Sequence, residues 1–94
     1  MSISAQTLRT AVELARSYGA SRVLLFGSAL DDPENAQDLD LATDIPGLAL
    51  FAYAGQLEEQ LDIPVDVVPL TPRTPFIDHI ARTGEVLYDA VLAR

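Results

Sequence analysis

The chain has 94 residues, 49% of them hydrophobic and 21% charged, which is enough for one compact core and too few for two. Six arginines, no lysine and fourteen acids leave a formal charge of -8, a field that repels a phosphate backbone and argues against a nucleic-acid polymer as partner. There is no cysteine, so disulfides, thiolate metal sites and cysteine nucleophiles are excluded as well.

The first residues, MSISAQTLRTAVELARSYG, lack the basic stretch and apolar core of a signal peptide. No apolar run approaches the roughly 20 residues that span a bilayer, so no membrane partner is expected and the cytoplasm is the default location. From Ser4 to Tyr18, Leu8, Ala11, Val12, Leu14 and Ala15 recur at helical spacing, with Ser4 as N-cap and Gly19 placed to end the helix. RVLLF (22–26) is a short continuous apolar run that suits a strand buried on both faces. ALDDPENAQ (29–37) reads as a polar loop turning at Pro33 and Asn35, with Ser28 as cap of a short helical turn at its start.

DLDLAT (38–43) alternates carboxylate and leucine, so as a strand it sends Asp38 and Asp40 to one face and Leu39 and Leu41 into the core. Pro46 and Gly47 break the chain before a second amphipathic helix outlined by Leu48, Phe51, Ala52, Ala54, Leu57 and Leu61. IPVDVVPL (63–70) reads as a third strand carrying one carboxylate, Asp66. Thr74 caps and Pro75 opens a last helix that ends at Gly84, and EVLYDAVLA (85–93) fits a strand or a helix equally. The first two strands are about ten residues apart, too short for a parallel crossover, whereas the connection through the second helix can return parallel. The expected fold is α/β or α+β: one domain over residues 1–94, with a small mixed sheet flanked by helices mainly on one side.

Asp66 is the residue that most needs a reason, because valines surround it. Two unit charges about 4 Å apart repel by roughly 4 kcal/mol at an effective dielectric near 20, so gathered carboxylates call for a cation or a proton. Magnesium is such a cation: a hard ion that takes one or two carboxylates together with water and substrate phosphates. Gly27 lets a ligand approach the backbone, and the Ser28 hydroxyl with the amides that follow can donate to a phosphate oxygen. Taken singly, each of these residues has a plainer reading: Asp38 and Asp40 as a solvated strand face, Asp66 as an edge-strand residue beside Pro64 and Pro69, and Gly27-Ser28 as a strand-ending turn. His79 and Arg73 read as surface or packing residues, Asp31, Asp32 and Glu34 as a solvated loop tip, and Tyr18, Tyr53 and Tyr88 as half-buried packing.

Together, LFGSALDDPENAQDLDLA resembles the Gly-Ser, spacer, Asp-x-Asp signature of the DNA polymerase β-like nucleotidyltransferase superfamily, and VDVV resembles the strand bearing its third aspartate. Over nearly the whole chain the order of elements is similar to the minimal nucleotidyltransferases (MNT) that act as antitoxins beside HEPN-domain toxins. The resemblance implies a polymerase β palm-like nucleotidyltransferase fold, with Gly27 and Ser28 binding the triphosphate of ATP. It further implies that Asp38 and Asp40 coordinate Mg2+, two ions in all, and that Asp66 completes the second metal site and helps deprotonate an attacking hydroxyl. The implied reaction moves AMP from ATP to a hydroxyl of a HEPN toxin, within a homo- or hetero-oligomer. The family often places arginines just after Gly-Ser and a serine before the first aspartate, where this chain has Ala29, Leu30, Asp31 and Gln37. Two other readings compete: an antitoxin that neutralises its partner by binding alone, and a nucleotidyltransferase of the antibiotic-modifying type.

Overall fold

The computed structural model describes residues 3–92 and orders them as four helices and four strands. Helix α1 spans Ala5–Ser17, capped at its start by Ser4, whose hydroxyl accepts from the Thr7 amide at 3.1 Å. Its other end closes in a Schellman arrangement, with Ala20 N–H on the Ala15 carbonyl, Gly19 N–H on that of Arg16, and Gly19 at φ 89°. Strand β1 (Arg22–Phe26) leads through Gly27 into the single turn α2 (Ser28–Asp31), and strand β2 (Leu39–Thr43) follows. Helix α3 (Ala49–Leu61) connects β2 to strand β3 (Val65–Pro69). Helix α4 (Pro75–Thr83) then leads directly into strand β4 (Glu85–Asp89).

The strands form one mixed sheet in the order β3-β2-β1-β4. β1 is antiparallel to both β2 and β4, while β2 and β3 run parallel across the α3 crossover, as the connection lengths predict. β3 lies at an edge, where Pro69 removes no ladder bond the sheet needs. The segment that fitted strand or helix is a strand, β4, paired along β1; Ala93 of that segment lies outside the described residues.

Strand alternation sorts side chains onto two unequal faces. Val23, Leu25, Leu39 and Leu41 pack with Ala11 and Ala15 of α1 and with Tyr53 and Leu57 of α3 in the larger core. Tyr53, fully buried, donates its hydroxyl to the Ala11 carbonyl at 2.8 Å and so ties the two helices together. On the opposite face Leu24, Ala42 and Leu70 meet only Ile77 and Ile80 of α4, with Phe26 and Val68 partly buried beside them. Helices thus do lie mainly on one side, and α4 covers only part of the other.

Three details differ from the sequence reading. Leu48 and Phe51, placed on the apolar face of the second helix, are exposed, and α3 buries Leu50, Tyr53 and Leu57 instead. Tyr53, read as half-buried packing, is fully buried because it sits between α1 and the sheet. Ser28 is the first residue of α2 rather than its cap; Gly27, at φ 73°, occupies the cap position. Gly84 does end α4, as read from the sequence, and a glycine is required there because a Cβ would stand 2.7 Å from the Ile80 carbonyl and 2.9 Å from that of Leu25.

Candidate functional site

The strand alternation that buries Leu39 and Leu41 turns Asp40 to the α4 face, at the end that α4 leaves open. Its in-register neighbour on β3 is Asp66, and its antiparallel neighbour on β1 is Phe26. In-register residues of paired strands share a face, so the two aspartates stand side by side with their backbones about one strand spacing, ~4.8 Å, apart. Asp38 lies in the bend just before β2 and accepts from the Ser28 hydroxyl at 3.2 Å. That bond links the Gly-Ser turn directly to the first aspartate.

Gly27 is fitted to Asp40. A Cβ at Gly27 would collide with Oδ2 of Asp40 and stand 3.1 Å from its Cγ, and φ 73° is a conformation other residues rarely adopt. The five residues singled out from the sequence, Gly27, Ser28, Asp38, Asp40 and Asp66, therefore occupy one end of one sheet face.

Asp40 is half-buried, and burial pushes its carboxyl above the usual value; repulsion from Asp38 and then Asp66 pushes in the same direction. No cation and no hydrogen-bond donor among the described residues meets this carboxylate. Among the described residues, no three His, Asp or Glu side chains converge to hold a metal by themselves. The aspartates thus form an open, mutually repelling set instead of a closed cage. Hard oxygen donors that are too few to saturate an ion suit magnesium, which keeps waters and substrate phosphates in its shell. By that chemistry the residues fit the cation implied by the sequence.

A cavity of about 320 Å³ opens beside Gly27, between α2 and α4. Phe26, Leu30 and Asp31 form one wall, and Phe76, His79, Ile80 and Thr83 of α4 form the other. The sequence alone gives His79 a surface or packing role and points to no site on the last helix. The signal for these α4 residues was the i, i+3, i+7 stripe of Phe76, His79 and Thr83, which sets three side chains on one helix face but says nothing of what that face meets. Arg73 turns away to Asp78, with Nη2 at 2.6 Å and Nε at 2.7 Å from one carboxylate oxygen. A larger cavity, about 430 Å³, lies at the opposite ends of β2 and β3 among Ile45, Pro46, Leu50, Phe51 and Val67, away from all three aspartates.

No family model and no curated protein matches the sequence. Solved structures do match the fold. A toxin–antitoxin crystallised with AMP-PNP aligns over 87% of this chain and 73% of its own, with a TM-score of 0.74 and 22% identity. The MntA–HepT toxin–antitoxin aligns over 96% of this chain and 76% of its own, with a TM-score of 0.73 and 20% identity. The complex of tri-AMPylated Shewanella oneidensis HEPN toxin with MNT antitoxin aligns over 94% and 74%, with a TM-score of 0.71 and 20% identity. The small mixed sheet with its four helices is the fold of the MNT antitoxin structures, as the Gly-Ser and Asp-x-Asp resemblance implied.

Proposed function

We propose that residues 1–94 act as one nucleotidyltransferase domain that transfers AMP from ATP to a hydroxyl of a HEPN-type toxin, and thereby serve as its antitoxin. The observation that carries this reading is the fit of Gly27 against Asp40, with Ser28 bonded to Asp38 and Asp66 in register on the next strand. Support also comes from solved structures of the same fold, one with AMP-PNP and another with an AMPylated HEPN toxin. The charge of -8 suits a protein partner better than a nucleic acid. No helix among the described residues is long and apolar enough to cross a membrane.

In this reading Gly27 admits the triphosphate to the backbone, and the Ser28 hydroxyl and neighbouring amides donate to its oxygens. Asp38, Asp40 and Asp66 would hold Mg2+, which when bound neutralises the phosphate charge that builds up during in-line displacement. The toxin hydroxyl oxygen bonds to the α-phosphorus, the bond from that phosphorus to the bridging oxygen breaks, and pyrophosphate departs with the electron pair. The hydroxyl proton passes to Asp66. The unmet repulsion at Asp40, which no cation among the described residues offsets, supports the uptake of cationic charge together with the nucleotide.

Neutralisation by binding alone is the second reading. It is favoured by α2, where Ala29, Leu30 and Asp31 supply no cation to a triphosphate. Intact-mass measurement separates the two, using the protein encoded by the adjacent reading frame with ATP, Mg2+ and this chain, beside a D38N/D40N double variant. The transferase reading expects mass added in steps of one AMP, absent with the variant. A stable complex without added mass would overturn transfer and leave binding.

A further inference from the structure

We infer that the cavity between α2 and α4 is a nucleobase subsite, in which Phe76 stacks on the base of the same nucleotide whose phosphates meet Gly27 and Ser28. The inference rests on the phosphate reading of that turn and adds the part of the ligand which that reading leaves unplaced. Gly27 belongs to both regions: it abuts Asp40 on one side and borders the cavity on the other. A ligand with an anionic end at Gly27 therefore has an enclosed space immediately beside it for an uncharged end.

The cavity has the size and lining for a flat aromatic ring. At about 320 Å³ it lies at the small end of ligand sites, large enough for a base with its sugar and too small for a protein segment. Leu30 and Ile80 supply apolar walls, and Phe26 and Phe76 meet edge-to-face with ring centroids 5.8 Å apart. Phe76 remains 53% exposed even so. An aromatic ring that lines the cavity, is steadied by a second ring and stays half exposed can serve as a stacking platform, and every base offers a π-face to one. Among the described hydrogen bonds, the Thr83 hydroxyl is already donated to the His79 carbonyl at 2.8 Å. His79 and Asp31 are the remaining polar groups of a lining otherwise made of apolar walls and the Phe76 ring, so stacking on Phe76 is taken as the main source of recognition.

The test is calorimetric titration of the intact protein, in the presence of Mg2+, with ATP, GTP, UTP and inorganic tripolyphosphate, on the wild type and on Phe76→Ala and Phe76→Trp. Because Phe76 is half out of the fold, its truncation leaves the core intact. Phe76→Ala is expected to weaken ATP about tenfold or more and leave tripolyphosphate unchanged, while Phe76→Trp retains ATP. ATP and GTP should bind within about tenfold of each other, and UTP, with less ring area, more weakly. Equal loss of ATP and tripolyphosphate in Phe76→Ala, or no loss of either, would overturn the subsite while the phosphate site stands. Discrimination between ATP and GTP beyond about a thousandfold would overturn recognition by stacking, since it requires hydrogen bonds to the base edge. If tripolyphosphate and ATP both fail to bind the wild type, the phosphate reading falls, and the subsite with it.

Discussion

Asp40 and Asp44 lie four residues apart at the two ends of the same stretch of chain, and the fold treats their charges in opposite ways. Asp44 receives the Ser21 amide at 2.9 Å, the Arg22 amide at 3.1 Å and the Ser21 hydroxyl. Burial pushes its carboxyl up, but these donors together outweigh burial and hold it below the ordinary value. Asp40 also feels burial, but its neighbours are Asp38 and Asp66, and its carboxyl is held above the ordinary value. A carboxylate that serves structure is met by donors when the chain folds. One kept charged, half-buried and unmet is a cost to folding, and such costs concentrate where a ligand supplies the missing partner.

The largest effect should come from Asp40→Asn. Transfer of AMP to the partner should fall by at least about a thousandfold, roughly 4 kcal/mol in the barrier, as measured by single-turnover mass spectrometry. The same variant should melt at or above the wild-type temperature at neutral pH, because it removes a charge that the folded state holds poorly. Loss of both activity and stability would break the comparison, making Asp40 a structural residue like Asp44.

Asp44→Ala should do the reverse. It leaves the Ser21 and Arg22 amides without their acceptor, at a cost of about 2–3 kcal/mol, or a melting temperature lower by ~10 °C or more in a domain of this size. Transfer below the melting range should persist. The pH dependence sharpens the contrast, since the two shifts have opposite signs. For Asp40, raised in the folded state, the stabilising contribution is full below its ordinary value of 3.8 and is lost as pH rises through the folded value. For Asp44, lowered in the folded state, it is present above 3.8 and lost as pH falls through the folded value. In melts taken from pH 3 to 7, Asp40→Asn should gain on the wild type as pH rises, and Asp44→Asn should fall behind it over the same range.

Gly27→Ala ranks next. The backbone at Gly27, φ 73° and ψ -153°, lies in a region essentially reserved for glycine and costs about 1–3 kcal/mol for a residue bearing a Cβ. The methyl would also displace the Asp40 carboxylate, so activity should fall more than stability does. A Gly27→Ala, Asp40→Asn double variant that adds nothing to the activity loss of Asp40→Asn would show that the glycine acts through that carboxylate.

The contrast between the two aspartates was only half legible in the sequence. Period-two alternation at Asp38, Leu39, Asp40 and Leu41 fixes which residues face the core, and the gap lengths fix antiparallel and parallel pairing, so the sheet follows from local pattern. The Gly-Ser turn and the aspartates could be named for the same reason: they lie at the ends of readable strands. Asp44 carried no signal, because its donors at Ser21 and Arg22 are more than twenty residues away and are brought to it only by the β1–β2 register. The cavity wall from α4 was hidden in the same way. Its stripe of Phe76, His79 and Thr83 is visible as a helix face, but what faces it depends on a contact between α4 and the turn after β1 that no spacing encodes. The end of α4 at Gly84 was legible, but the close approach to the Leu25 carbonyl that requires a glycine there was not.

Asp78 provides the smallest effect and the control for the others. It has an ion pair, to Arg73 at 2.6 Å, but its side chain is 46% exposed and that of Arg73 is 61% exposed. Water solvates both groups in the folded and unfolded states, so the pair adds little beyond the favourable place of an acid in the first turn of α4. Asp78→Ala should therefore cost about 0.5 kcal/mol, a shift of only a few degrees in the melting temperature, and should leave transfer unchanged. Contact with an opposite charge would then count for less than burial and donors: Asp78 has a cation and matters little, Asp44 has only dipoles and matters more. Among the described residues Asp40 has neither. If Asp78→Ala instead destabilised as much as Asp44→Ala, the ranking of these carboxylates by burial and donors would be wrong, and with it the reason for assigning Asp40 to the ligand.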